Sequence, residues 1–418
     1  MHKAIKVVLA MFFLSAAIMS LTAVKASCQV PVSWEGAAHF QYNIESAVVA
    51  KDTAGNRHVV VEFSVTDPTT GGKWDILNDE PFRQGPSLSR LAIILGWPAN
   101  DYQNTGAARE DLQPLPFGNG AGAALPMSLD VLKTAVGLGG YRFQVTTPTL
   151  PVQAQGTGVV AIEGRLAWPV VVNGTKVYGR APVKNAYKYF ALTGTDVVPR
   201  REVADIKKCQ SCHDGGVHKD GVVIPRLSLH GSNRTEELRA CVVCHNPNQT
   251  DIPYRTSGAE VSIDFKRMVH SIHAGSRLHN PFVVTGFQGS AVDFSDIRFP
   301  GKLNNCLTCH TEAYGKGTFE LPLASSIRGS TIATGSVPGV SVDVNPANDL
   351  KITPTAAVCS SCHDSSKALS HMASPRSGGS FQALQSAIDQ GTIRERCASC
   401  HGPGRDKDVR KVHEIEGD

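Results

Sequence analysis

An excess of charge is the first thing this 418-residue chain lacks: Lys and Arg number 41, Asp and Glu 37. Three of the lysines, Lys3, Lys6 and Lys25, fall in an N-terminal segment that reads as removable, which leaves 38 basic residues against 37 acidic ones. A near-neutral chain has no electrostatic footprint for nucleic acid, and that class of partner is excluded. Long apolar runs are absent after Val24, so no later segment reads as a bilayer span. Cysteine is missing from Gln29 to Lys208, which excludes a disulfide framework there. From residue 199 onward methionine is nearly missing too, with only Met268 and Met372. What the chain does have, 41% apolar and 19% charged residues, excludes wholesale disorder. Gly and Pro, 39 and 24 residues, exceed their usual combined share of about 12% and point to a loop-rich protein.

The N-terminus reads as an export signal over residues 1–26. His2, Lys3 and Lys6 make a basic start, Val7–Val24 is nearly continuous apolar sequence, and Val24-Lys25-Ala26 precedes a cleavage after Ala26. An uncleaved anchor is the alternative, because the run approaches the ~18–20 residues of a spanning helix. Ser15, Ser20 and Thr22 dilute it. The expected destination is an oxidising compartment.

The cysteines divide the remainder. A β-rich domain is expected over 27–198 and a second domain over 199–418, with the boundary near Pro199-Arg200-Arg201. Ser46–Ala50, His58–Val65, Arg90–Leu95, Tyr141–Thr146 and Val159–Trp168 read as strands. Asn173-Gly174 between β-branched runs predicts a type I′ hairpin. A short helix is expected from an N-cap at Ser128 to about Leu138. The fold class is therefore an all-β sandwich or small barrel followed by a loop-rich, short-helix domain. His39 and His58 are isolated and read as structural. The second domain has weak periodicity, and its apolar content is too thin for an ordinary core, so something other than side chains must fill it.

Ten cysteines occupy that second domain, always in pairs and always followed by histidine. The runs are Cys209-Gln-Ser-Cys212-His213, Cys241-Val-Val-Cys244-His245, Cys306-Leu-Thr-Cys309-His310, Cys359-Ser-Ser-Cys362-His363 and Cys397-Ala-Ser-Cys400-His401. This is the attachment pattern of c-type haem. Two thiols three residues apart reach the two vinyl groups of one porphyrin, and the adjacent imidazole reaches the iron from one face. Paired-cysteine zinc sites do not require histidine after every second cysteine. A redox dithiol needs only one pair, and disulfide scaffolds do not repeat one local spacing five times. Five covalently attached haem c groups are expected, packed closely enough to form an electron path.

The sixth coordination position sets the chemistry: histidine gives a low-potential carrier, methionine raises the potential, and an open position permits substrate chemistry. Seven further histidines are present: His218, His230, His270, His273, His279, His371 and His413. All five irons can thus be bis-histidine with two histidines spare. His270 and His273 lie in a predicted helix, Phe265–Ala274, where a three-residue spacing puts them on one face to serve two neighbouring haems. A zinc-binding His-x-x-His is the rival there. His371 is a good candidate with Met372 as its alternative, His413 gives the short charged tail a reason to be ordered, and Gly231 after His230 permits close approach to a porphyrin. His218 and His279 read as surface residues.

At this point the chain resembles a known family. Arg201–His213, then Leu229-His-Gly231, then Cys241-Val-Val-Cys-His-Asn-Pro247 resemble the OmcA/MtrC family of outer-surface multihaem cytochromes. Phe265–Gly275, Phe299-Pro-Gly301 and Cys397–His413 continue the likeness in the same order. The resemblance implies distal ligands at His230, His270, His273, His371 and His413. It also implies electron transfer in anaerobic respiration to ferric or manganese oxide, a soluble shuttle or another cytochrome. A porin–cytochrome conduit is the implied partner, and the cell surface or outer membrane the implied location, with the periplasm as alternative. The chain departs from the family pattern in having one pentahaem half rather than two. Lys25-Ala26-Ser27 is a poor lipidation box before Cys28, and the β-domain disulfide has no counterpart. Two other functions fit the motifs: a multihaem reductase with one open haem acting on a small oxyanion or sulfur compound, and a subunit of a cytochrome filament.

Overall fold

The computed structural model describes residues 30–106, 127–216, 226–286, 289–313, 316–335 and 348–415. Residues 1–26, Cys28 and His218 lie outside the described residues.

Two open antiparallel sheets face one another. After a one-turn helix, α1 (Trp34–Ala37), come β1 (Gln41–Lys51) and β2 (Arg57–Thr66). The Asp52 carboxylate closes their turn by accepting from Ala54 N and Asn56 N at 2.9 and 2.8 Å. Then follow β3 (Arg90–Gly96), β4 (Met127–Asp130), the single turn α2 (Val131–Thr134), β5 (Val136–Gly139), β6 (Arg142–Thr146), β7 (Thr157–Val172), β8 (Thr175–Pro182) and β9 (Ala186–Ala191). One sheet runs β1-β2-β6-β5; the other runs β4-β3-β7-β8, with β9 also paired to β7.

Period-two burial explains the first sheet. On β2, Val59, Val61, Phe63 and Val65 are buried and meet Phe143 and Val145 of β6. Leu91, Ile93 and Leu95 of β3 with Val160, Ile162 and Leu166 of β7 close the core from the opposite sheet. At roughly 1.5–3 kcal/mol per buried aliphatic side chain, this core holds the sandwich together without any disulfide.

The Asn173-Gly174 hairpin joins β7 to β8 as expected, with both residues at positive φ (50° and 77°) and Val172 opposite Thr175. The expected Ser128–Leu138 helix is corrected. Met127–Asp130 is a strand paired to β3, only Val131–Thr134 is helical, and Val136–Gly139 pairs with β6. Burial of Met127, Leu129 and Val131 at alternate positions overrode the helical reading.

β7 differs from β2 in being buried on both faces from Thr157 to Ala167. Its second face, with Ile94 of β3, forms a separate apolar cluster of Val159 and Ala161 with Ala240, Val242 and Val243 from the cysteine-rich part. A continuous apolar strand is what two-sided burial demands. Asn104 pins the same contact: its Oδ1 accepts from Trp97 N and its Nδ2 donates to Val243 O, each at 3.0 Å.

Beyond Pro199 the elements are short. They are α3 (Ile206–Gln210), α4 (Leu238–Cys244), α5 (Phe265–Ala274), α6 (Pro354–Cys359), α7 (Ser366–Met372), α8 (Gln385–Asp389), α9 (Ala398–His401) and α10 (Val409–Val412), with small two- and three-stranded pieces between them. The apolar cluster of this part is small: Ile352, Ala356, Ala357 and Met372 are its buried members. Among the described residues no helix is long and apolar enough to cross a membrane.

Candidate haem centres

Each cysteine–histidine run folds into one tight turn. In all five the histidine N–H donates to the carbonyl of the first cysteine at 2.9 Å, which gathers both thiols and the imidazole in one turn. Local caps hold these turns. Asp205 accepts from Lys207 N before the first run, Glu237 from Arg239 N before the second, and Asn305 from Leu307 N before the third. The fourth run ends α6, whose first turn is capped from a distance: Glu395 accepts from Thr355 N and Ala356 N, both at 2.8 Å. No sequence pattern signals Glu395, which reaches its partners across some forty residues.

The imidazoles meet in five separate pairs. Ring centroids lie 6.0 Å apart for His213 and His273, 5.9 Å for His230 and His245, and 5.9 Å for His270 and His310. They lie 5.9 Å apart for His363 and His413, and 6.2 Å for His371 and His401. Every pair joins one motif histidine to one of the five candidate distal histidines, and no histidine is used twice. A metal–imidazole bond of about 2.0–2.1 Å, with roughly 1.1 Å from nitrogen to ring centre on each side, gives ~6.3 Å between centroids. The separations therefore fit one metal ion between each pair.

On five of the ten rings the outer nitrogen is already committed. Nδ1 of His245 bonds Ile263 O (2.9 Å), of His273 Val269 O (2.8 Å), of His413 Val409 O (2.9 Å), of His401 Lys407 O (3.0 Å) and of His310 Thr318 Oγ1 (3.1 Å). That leaves Nε2 for a metal, with the ring orientation set by the second partner. Burial keeps several rings neutral, the state a ligand needs: His230 falls to about 3, and His270 and His310 each to about 4. His230 sits at φ +53°, followed by Gly231 at +66°, so the ligand is held in backbone that most residues avoid. Met372 belongs to the apolar cluster, and the imidazole beside it faces His401. His279 is exposed, as expected of a surface residue.

The thiols argue against the zinc and redox readings. All ten described cysteines are unpaired. Burial raises the pKa to about 12 for Cys241, Cys244 and Cys359 and to about 11 for Cys209, Cys362 and Cys397. A zinc ligand or reactive thiol needs a stabilised thiolate, whereas an uncharged thioether suits these surroundings. Among the described residues no three His, Cys, Asp or Glu side chains converge as a metal cluster, so the His270-x-x-His273 zinc rival finds no third ligand.

A cavity of about 2770 Å³ runs through this part, well beyond the ~300–1,000 Å³ of a small-molecule pocket. Thiols and imidazoles of the first four runs, Cys244 excepted, line it; Cys397, Cys400, His371 and His401 do not. Neighbouring runs are tied together. Lys208 Nζ donates to Leu307 O and His310 O at 2.8 and 2.7 Å, which joins the first run to the third. Cys306 and Cys397 lie near enough to Cys359 to raise its pKa, and Cys306 near enough to Cys362 to do the same there. The contacts thus run first, third, fourth, fifth, with the second set against the sandwich and Cys400 exposed at the far end.

Residues 201–414 match the family described as outer membrane cytochrome MtrC/MtrF-like, domains II/IV. The crystal structure of MtrC from Shewanella baltica OS185 has a similar fold, with a TM-score of 0.52 and 17% sequence identity. The match covers 88% of this chain and 53% of that one, so this chain spans about half of that protein's length. No curated protein matches it. With half of its length matched to that family, and with the paired-imidazole turns in the matched half, the chain belongs to the MtrC/MtrF-like outer membrane cytochromes.

Proposed function

We propose that this chain is a pentahaem electron-transfer protein, a β-domain (27–198) followed by a cytochrome domain (199–418), exported behind the 1–26 signal. In this reading Cys209 and Cys212, Cys241 and Cys244, Cys306 and Cys309, Cys359 and Cys362, and Cys397 and Cys400 anchor five haems. The ten paired histidines hold the irons. Bound haem supplies reversible one-electron chemistry. The protein fixes both axial ligands, keeps them neutral by burial, and holds the centres close together. No side chain serves as acid, base or nucleophile. The acceptor class is an extracellular metal oxide, a soluble shuttle or a partner cytochrome, reached through a porin–cytochrome conduit at the cell surface.

The one-to-one pairing of five motif imidazoles with five others carries this reading. It leaves no motif histidine without a facing ring, which is what a reductase with an open haem would need. The test is a haem count together with a carbon monoxide difference spectrum of the reduced holoprotein. Five haems per chain and an unchanged spectrum are expected. Carbon monoxide binding to about one haem in five would turn the assignment to the reductase.

A further inference from the structure

Four guanidinium groups, Arg90, Arg165, Arg180 and Arg234, gather where the sandwich meets the second haem centre, and all four line the cavity. Three belong to the sandwich: Arg90 on β3, Arg165 opposite it on β7, and Arg180 on β8. Two carboxylates answer them: Asp130, which lines the same cavity and stabilises the Arg90 charge, and Glu163. Glu163, fully buried on β7, lies 2.5 Å from Arg234 Nε and 3.9 Å from Arg90 Nη2. Arg165 is fully committed to carbonyls: Nε to Ser87 O (3.2 Å), Nη1 to Gly231 O (2.9 Å) and Nη2 to Pro86 O (2.8 Å). Crowding by its neighbours and burial lower its pKa to about 10.

Arg180 is different. Among the described residues its side chain donates only through Nε, to Ser87 O at 2.9 Å. Its Nη1 lies 3.4 Å, and Arg165 Nη1 3.5 Å, from where a Cβ on Gly231 would sit, immediately after the ligand His230. Four cations with two anions in a partly buried wall leave uncompensated positive charge, which protein interiors avoid and a further carboxylate would offset.

We propose that Arg180, held against Arg165, clamps a propionate of the haem ligated by His230 and His245, so that the β-domain supplies the counter-charge for a haem attached to the cytochrome domain. The inference rests on the haem reading of that site. A guanidinium fork matches a carboxylate in two parallel hydrogen bonds, and lysine does not reproduce it. Positive charge beside a haem favours its reduced, less positive state, so the clamp raises the potential of this centre above what its two imidazoles alone would give.

The experiment is potentiometry of the Arg180→Gln holoprotein beside wild type and Arg180→Lys, at fixed ionic strength. The Arg180 backbone is bonded to Pro31 O and Ser33 N, so the side-chain change leaves the strand intact. One of five redox components should fall by about tenfold in its one-electron equilibrium, ~59 mV, with the other four unmoved and Arg180→Lys intermediate. Five unmoved components, or five moving equally, would overturn the clamp. Citrate added to wild type separates the two sources of carboxylate: no change is expected, and a shift of that component would mean that the cluster takes a free anion instead. Haem counting keeps the two inferences apart. A wild-type count below five, or a spectrum without bis-histidine character, defeats the haem reading; a full count with unmoved potentials defeats only the clamp.

Discussion

Replacing His273 by alanine should open a single coordination site. α5 carries His270 and His273 three residues apart, about 4.5 Å along the axis at 1.5 Å per residue. They face different partners, His310 and His213. Removing the His273 ring therefore leaves the other four imidazole pairs whole, and alanine preserves the helix. The ring's packing on Phe299 is lost, at 5.7 Å between centroids, but the Val269 carbonyl that it bonded stays in the helix ladder. The reduced variant should bind carbon monoxide at about one fifth of its haem, and a His270→Ala/His273→Ala double variant at about two fifths, because the two changes touch separate irons. Added imidazole should reverse both signals by refilling the space. The assay is the amplitude of the carbon monoxide difference spectrum, scaled to haem content. A single variant that binds at two haems, or at none with all five haems present, refutes the pairing.

Asn104→Ala orphans the buried Trp97 N–H at about 1–3 kcal/mol, while the Val243 carbonyl keeps Asn246 Nδ2 at 3.1 Å, so denaturant unfolding should register a loss of about 1–3 kcal/mol; a loss below about 0.5 kcal/mol counts against the pin. Acid should weaken the sandwich through Asp52 and Asp67. The Asn56 side chain and neighbouring donors hold Asp52 down at about 2; burial pushes Asp67 up, but Thr69 and His39 outweigh it and leave it near about 2. Folded values below the unfolded ~3.9 mean stability that is present above pH ~4 and lost as pH falls toward ~2, so the fall in Tm over that window should flatten in an Asp52→Asn/Asp67→Asn variant. Ring angles should appear in the electron paramagnetic resonance spectrum of the oxidised holoprotein. The pair His270 and His310, 9° from parallel, should give a rhombic low-spin signal, and His213 with His273, at 88°, a single large-g feature that vanishes in His273→Ala.

The division of labour between sequence and tertiary structure follows the range of each interaction. Cys-x-x-Cys-His closes within one helical turn, so spacing alone marks where the five proposed haems attach. The Asn173-Gly174 turn and the alternating strand β2 were legible for the same reason, since turn chemistry and period-two burial are local. Residue counting left seven candidate distal histidines, of which the family resemblance implied His230, His270, His273, His371 and His413. Which motif each one faces was decided only in three dimensions, because His213 and His273 are sixty residues apart and nothing local links them. The strand Met127–Asp130 escaped the sequence reading because β3, remote in sequence, supplied its partner. Glu395 and the arginines around Gly231 left no pattern at all. A cap or a counter-charge needs only to arrive at the right place, and the fold, not the spacing, brings β3, β7 and β8 to the second haem centre.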